Sequence, residues 1–176
     1  MKIHQIPILT LLILGLSLTR CANSNRITVS DKWYKNTKAE ILKQSNLKPD
    51  SITLTFNEDS SYKKEHYFSV GHEFLLKGYN NDILRLEIHY SNNGDFELRR
   101  EICENGNYAF EGIVYKSSFY GLSTWYYCDK SIDHQGIRYN SQKIGVWKKF
   151  DEKGKLTEEI DYKNFEKLDS MPAITK

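Results

Sequence analysis

The sequence predicts a mainly all-β protein: a twisted antiparallel meander of hairpin repeats with a short N-terminal helix. Three observations lead to this fold class. The 176 residues include 12 Tyr, 8 Phe and 3 Trp but only 10 Gly and 3 Pro, and aromatic side chains pack well on pleated strands. Short segments alternate apolar and polar residues, which is the pattern of strands. Glycine-centred units also recur at a constant spacing, which is typical of repeat proteins.

The first 20 residues are predicted to be a removable export signal. Lys2 supplies a positive charge, and residues 8–18 (ILTLLILGLSL) form an apolar run. That run is too short to span a bilayer, which takes about 20 apolar residues. The segment therefore favours an export leader over a transmembrane helix.

Residues 18–21 (LTRC) resemble the bacterial lipoprotein signal, in which a Leu three positions before a Cys directs cleavage and acylation of that Cys. Arg20 departs from the pattern, since the family carries Gly, Ala or Ser there. The resemblance implies that Cys21 carries fatty acyl chains such as palmitate, that residues 21–30 form a tether and that the partner of the anchor is the lipid bilayer of the bacterial cell envelope. Several chains give lasting attachment. A cleaved soluble product, an uncleaved anchored product and a cytosolic protein remain the alternatives.

The charge balance argues against nucleic-acid binding. The chain has 25 basic and 23 acidic residues, and two of the basic ones, Lys2 and Arg20, lie in the leader, which leaves 23 of each sign. Binding to nucleic acid depends on an excess of positive charge. No nucleic-acid partner is therefore expected.

Residues 31–80 are predicted to form an N-terminal α/β cap region. A short helix is expected over residues 37–44, stopped by Pro49 and Asp50. Residues 51–57 (SITLTFN) alternate apolar and polar side chains, as in a half-buried strand. The further expected strands are 62–70 and 73–77, which break at Gly71, and 83–90, which follows a turn at 79–82.

Residues 81–162 are predicted to be hairpin repeats. Gly112-Ile-Val-Tyr115 matches Gly136-Ile-Arg-Tyr139 at an offset of 24 residues, and Gly121 matches Gly145 at the same offset. A glycine at a turn adopts a positive φ without steric cost. Each repeat is therefore expected to be one hairpin, and residues 163–176 a polar tail.

The segment over residues 136–162 (GIRYNSQKIGVWKKFDEKGKLTEEIDY) resembles the MORN-variant repeat of bacterial YwqK-type antitoxin-like proteins. The shared pattern is a Gly, an aromatic residue, Gly-x-Trp, a second aromatic residue, then Gly and Leu. The resemblance implies an extended, twisted β-meander. It is weaker over residues 112–131 and 90–106 and does not extend to residues 22–80.

No catalytic or metal-binding pattern is found. His72 and Glu73 begin like a zinc-protease motif, but Leu76 stands where the second His is required. Gly121-Leu122-Ser123 lacks the closing Gly of a nucleophile elbow, since Trp125 occupies that position. We therefore expect no enzyme activity, no metal and no cofactor.

Cys103 and Cys128 raise the question of a disulfide in an exported protein. They occupy equivalent positions of successive repeats, which would lie two strand spacings, about 10 Å, apart. A disulfide needs Cα atoms within about 7 Å. This spacing argues against the bond, although a bulge or an irregular repeat would bring the two residues closer.

The recurring aromatic residues are expected mainly to form the core. The alternative is that part of the row forms an exposed surface for a protein or carbohydrate partner. Alternation places Trp125 and Tyr127 on one face and Tyr126 on the other. Tyr126, together with Tyr120, is therefore the candidate partner contact.

The predicted function is that of a non-catalytic, membrane-anchored envelope lipoprotein whose β-repeat face binds a partner protein or envelope component. The alternative is an immunity or antitoxin-like protein that neutralises a specific toxin. An envelope hydrolase with a dispersed site is the least favoured reading, because no catalytic pattern supports it.

Overall fold

The structure is a computed structural model that describes residues 8–174, with side chains described for Ser24 and from Arg26 onward. It contains a helix, α1 (Ile8–Gln44), ten strands and a C-terminal 3-10 helix (Phe165–Ser170). The strands are β1 (Ser51–Phe56), β2 (Tyr62–Ser69), β3 (His72–Asn80), β4 (Ile83–Tyr90), β5 (Phe96–Ile102), β6 (Tyr108–Tyr115), β7 (Ser118–Tyr126), β8 (Ile132–Tyr139), β9 (Gln142–Phe150) and β10 (Leu156–Asp161).

The ten strands form one antiparallel meander. Their order in the sheet is their order in the chain, and β1 and β10 are the two edges. The predicted fold class is therefore confirmed. Residues 51–80 of the predicted cap region, 31–80, form β1 to β3 of this same sheet.

Helix α1 ends at the predicted residue but is much longer than predicted. It ends at Gln44 and begins at Ile8, so the segment expected to be a tether, residues 21–30, lies within the helix. No proline interrupts this segment, and proline is the strongest helix breaker. Residues 1–7 of the predicted leader lie outside the described residues. In the described part of the chain, no helix has the length and apolar character needed to cross a membrane.

Helix α1 packs on one face of the sheet, which we call the covered face. Tyr34 and Ile41 of the helix contact Phe96, Leu98 and Ile113 of β5 and β6, and this cluster is buried. Because α1 presents side chains to the sheet along its C-terminal part, burial of apolar area stabilises this arrangement.

The C-terminal segment extends the same layer. Phe165 and Leu168 of the 3-10 helix pack with Ile137 and Ile144 of β8 and β9. The segment expected to be a polar tail is therefore partly core, because two apolar side chains one helical turn apart face the sheet. The indole Nε1 of Trp33 donates to the carbonyl of Pro172 at 2.7 Å, which joins α1 to the segment that follows the 3-10 helix.

Two repeat glycines provide the positions where the helices dock. Gly121 and Gly145 have φ of 72° and 62°. A Cβ on Gly121 would lie 2.6 Å from the ring of Trp33, and a Cβ on Gly145 would lie 2.9 Å from the ring of Phe165. The two glycines, which are 24 residues apart in the sequence, therefore each leave space for an aromatic ring of a covering helix.

A single row of directly opposed residues crosses the covered face through all ten strands. Opposite charges alternate in it from β2 to β6, which favours the pairing of neighbouring strands. The row consists of Leu54, Glu65, Lys77, Glu87, Arg100, Glu111, Thr124, Gln135, Lys148 and Glu159.

The β1 end of the covered face is bare. β1 forms at the predicted residues, but all six of its side chains are exposed, so the prediction of a half-buried strand is wrong. Helix α1 ends at Gln44 and its contacts with the sheet involve β4 to β7. The alternation of apolar and polar residues predicted the strand β1 correctly. Burial of β1 would require a covering element, whose position the sequence pattern does not reveal.

Candidate binding face

The candidate site is the sheet surface opposite α1, which we call the open face. Residues that lie directly opposite each other on neighbouring strands point to the same face. Phe110 lies opposite Trp125, Trp125 opposite His134, and His134 opposite Lys149. Glu111, next to Phe110, bonds to α1, so Phe110 and its row define the open face. Among the described residues, no helix packs on it.

Aromatic rings form a continuous strip along the open face. The ring of Trp125 stacks on His134 with centroids 4.4 Å apart and an interplanar angle of 9°. The ring centroid of Trp125 also lies 4.6 Å from that of Phe110 and 5.9 Å from that of Trp147. The ring of Tyr162 packs edge-on against Trp147, with centroids 6.5 Å apart. The strip therefore extends from β6 to the residue after β10.

The indole of Trp147 packs directly against the repeat glycine Gly136. A Cβ on Gly136 would lie 2.3 to 2.4 Å from three atoms of the indole, so the ring occupies the space that any side chain there would need. The indole Nε1 donates to the carbonyl of Ile137 at 3.1 Å, and Trp147 is only 4% exposed. Trp147 is thus the buried floor of the strip, and its neighbours are the accessible part.

Two cations lie over the aromatic strip. The guanidinium of Arg138 lies 5.5 Å from the ring centre of Phe119, 5.2 Å from Trp125 and 5.6 Å from Trp147. The Nζ of Lys143 lies 4.5 Å from the ring centre of Trp147. A cation over a ring face is attracted by the ring quadrupole. The open face therefore combines aromatic area with positive charge.

Arg138 keeps unused hydrogen-bonding capacity. Its Nη1 donates to the carbonyl of Ser141 at 3.0 Å, whereas its Nε is buried without a partner within the described part of the chain. Burial lowers the pKa of Arg138, but an arginine side chain remains protonated at neutral pH.

A shallow groove of about 280 Å³ lies at the β8–β10 end of the open face. His134 Nδ1 lies 2.9 Å from the carboxylate of Asp133 at its rim. The lining residues are Asp133, His134, Lys143, Trp147, Lys148, Lys149, Glu158, Ile160 and Tyr162. Among the residues whose side chains the structure describes, 24 and 26–174, no group of three or more His, Cys, Asp or Glu residues is placed to hold a metal ion.

The predicted contacts Tyr120 and Tyr126 lie on the covered face. Tyr120 is opposite the buried Ile113 and meets Tyr139 edge-on with centroids 5.1 Å apart. Tyr126 follows Trp125 along β7, so alternation places it on the covered face. Burial and then the charge of Glu111 raise the pKa of Tyr126. Both tyrosines are half-buried. Alternation separates Trp125, on the open face, from Tyr126, on the covered face, and both side chains are half-buried.

Cys103 and Cys128 form a disulfide with Cα atoms 5.8 Å apart. The two Cα atoms are closer than two strand spacings, because both residues lie just beyond the ends of their strands, in hairpin turns at the same end of the sheet. The side-chain amides of Asn105 and Asn107 each donate to the carbonyl of Cys128 at 2.7 Å. These bonds hold the two turns together.

A charged cluster joins α1 to the sheet, and the sequence patterns did not reveal it. The Glu111 carboxylate accepts hydrogen bonds from the Tyr34 hydroxyl at 2.8 Å, from Arg100 Nε at 2.9 Å and from the Lys38 ammonium. Burial acts to raise the pKa of Glu111, but the bonds from Lys38 and Tyr34, with the charges around them, hold it below the usual value of 4.5. The cluster fixes the position of α1.

Comparison with protein-family models and with curated proteins gives no match. Two crystal structures of TarM are similar to part of the chain: an S. aureus mutant in complex with Fondaparinux, alpha-GlcNAc-glycerol and UDP, and a second TarM structure. Both have a TM-score of 0.34, at 8% and 9% identity. They cover 82% of this chain, which spans 26% and 27% of their length. A likeness at this level carries no argument about function.

Proposed function

We propose that this protein is a non-catalytic, membrane-anchored lipoprotein of the bacterial envelope, and that its open face binds a partner protein or another envelope component. The observation that supports binding is the strip of aromatic rings with Arg138 and Lys143 over it. The accessible part of the strip is formed by Trp125 and His134, which are half-buried, and by Tyr162, which is exposed, whereas Phe110 and Trp147 are buried. Accessible apolar area on a folded domain can mark an interaction site. Tryptophan, tyrosine and arginine are also the residue types that contribute most at interfaces.

The strip suits a partner with apolar or ring-shaped surface and negative charge. Arg138, Lys143 and Lys149 supply cations, and the planar guanidinium of Arg138 fits a carboxylate. Trp125 and Tyr162 supply accessible ring area, and both contact the ring of the buried Trp147.

The proposed anchor is Cys21, which carries the acyl chains after cleavage of the leader. The described side chains with which α1 contacts the sheet and the 3-10 helix lie at Arg26 and beyond. Cleavage before Cys21 would therefore leave these contacts in the mature chain. Labelling of cells with a clickable fatty acid tests the anchor: the native protein should be labelled and membrane-bound, and Cys21→Ala should lose the label. An unlabelled native protein in the cytosol would overturn the proposal.

Lys149 and Lys35 offer a pair of positions for testing the binding face. Both are exposed lysines, but Lys149 lies opposite His134 on the open face and lines its groove, whereas Lys35 lies on α1, which packs on the covered face. A photo-crosslinking amino acid introduced at each position in living cells should give an envelope adduct at Lys149 and none at Lys35.

The adduct at Lys149 should disappear when Trp125→Ala is added, because that change removes the centre of the aromatic strip. Equal adducts at the two positions would show that the contact is not specific to the open face. Identification of the adduct as a toxin would favour the immunity function instead.

A further inference from the structure

The strand β1 is an edge without the usual protection against pairing. Its sequence, SITLTF, has no charged residue, no Pro and no Gly, and its register with β2 has no bulge. Natural edge strands are commonly blocked by charges, prolines or bulges. An unblocked edge can therefore accept another strand.

The backbone groups that β1 presents outward can be assigned from one hydrogen bond. The N–H of Asn57 donates to the carbonyl of Tyr62 at 3.0 Å. Hydrogen-bonded and non-bonded pairs alternate along antiparallel strands, so Thr55 and Thr53 bond to β2. The N–H and C=O groups of Ile52, Leu54 and Phe56 point away from the sheet.

The same three residues form an apolar row. Ile52, Leu54 and Phe56 are 52%, 53% and 56% exposed. Alternation puts them on one face, and Leu54 begins the cross-strand row that defines the covered face. Outward backbone groups and exposed apolar side chains thus coincide at the same positions.

We propose that two copies of this chain associate through β1, with a two-fold axis at Leu54. In this antiparallel register Leu54 lies opposite Leu54 of the second copy, and Ile52 lies opposite its Phe56. Every outward backbone group then meets an outward group, which forms about six hydrogen bonds. Apolar side chains face apolar side chains, and no charges are brought together along β1. The result is one sheet shared by two chains.

The occupant of β1 is a second β1 and not a second β10, because the opposite edge is protected. β10 carries Glu158, Glu159 and Asp161 and has a register shift between Leu156 and Glu158. Strand β1 has no cation to pair with those carboxylates. The inference is also independent of what the open face binds, since β1 contributes its apolar row to the other face.

Sedimentation velocity of the purified full-length protein in mild detergent tests the proposal. An interface of this small size is expected to be weak, so the protein should shift from monomer to dimer over about 5 to 200 µM. Leu54→Lys places two like charges at the two-fold axis and should weaken dimerisation about 30-fold or more. Ile160→Lys, which changes an exposed apolar side chain on the opposite edge strand β10, is the control and should leave the dimer unchanged.

Leu54→Pro gives a second test that keeps the fold. It removes an N–H that points outward and leaves the bonds between β1 and β2 intact, so the protein should stay folded and become monomeric. A wild-type protein that remains monomeric over the whole range would overturn the proposal. So would loss of the dimer in Ile160→Lys with a normal dimer in Leu54→Lys, which would indicate pairing through β10.

Discussion

The two halves of the sheet share the same strand pattern but differ in burial. Beneath α1 and the 3-10 helix, Leu98, Ile113 and Ile144 are completely buried. At the other end, Ile52 and Leu54 alternate with threonine in the same way and are about half exposed. The comparison teaches that apolar alternation makes a strand, whereas a covering element decides whether that strand belongs to the core.

The surroundings of the turn glycines differ between the two halves. Gly121 and Gly145 each lie against an aromatic ring from a covering helix, whereas Gly71, in the turn between β2 and β3, has open space around it. All three have positive φ. The following four predictions compare the covered half with the bare half, from the largest expected effect to the smallest.

The largest effect is expected at Glu111. Glu111→Leu should lower the free energy of unfolding by about 4 kcal/mol, because it leaves Arg100 and Lys38 without their buried partner. Glu65→Leu changes the same cross-strand row in the bare half, where solvent screens the charges, and should cost about 1 kcal/mol. Urea unfolding of both variants checks this. Equal losses would show that α1 does not bury the cluster.

Removal of the disulfide should have the next largest effect. Cys103→Ser combined with Cys128→Ser should lower the free energy of unfolding by about 3 kcal/mol, because the bond closes a loop of 25 residues in the unfolded chain. Wild-type protein unfolded under reducing conditions should match the double variant. No difference between oxidised and reduced wild type would contradict the bond.

Adding a methyl group at Gly121, where a ring of α1 packs, should lower the free energy of unfolding by a smaller amount. Gly121→Ala should lower the free energy of unfolding by about 2 kcal/mol, because the added Cβ meets Trp33 and the backbone has a positive φ. Gly71→Ala should lower the free energy of unfolding by about 1 kcal/mol, because only the positive φ disfavours the alanine. Thermal or urea unfolding measures both. If the two variants lose the same stability, Trp33 does not pack against Gly121.

The smallest expected effect is a pH dependence carried by Glu111. Its pKa is held below 4.5 in the folded protein, so its stabilising contribution is complete at pH values above 4.5 and is lost as the pH falls through the folded pKa. Wild type should therefore lose more stability than Glu111→Gln between pH 6 and pH 3. Parallel stability curves would show that other carboxylates dominate acid unfolding.

The open face could be predicted only in part. The recurrence of Trp125 and Trp147 was visible in the sequence, and so was the separation of Trp125 from Tyr126. Which of the two points outward depends on the side where α1 packs, and Glu111, which holds α1 in place, belongs to no sequence motif. The disulfide was missed for a similar reason, since regular strand spacing does not describe residues in turns.

The meander and the strand positions follow from the sequence pattern, because alternation and turn glycines act over a few neighbouring residues. Long-range packing determines which face is covered, that Phe165 and Leu168 belong to the core, that Cys103 reaches Cys128 and that β1 is bare. Each of these depends on where α1, the 3-10 helix and the hairpin turns lie relative to the sheet. Contacts between distant segments set those positions, and no local pattern encodes them.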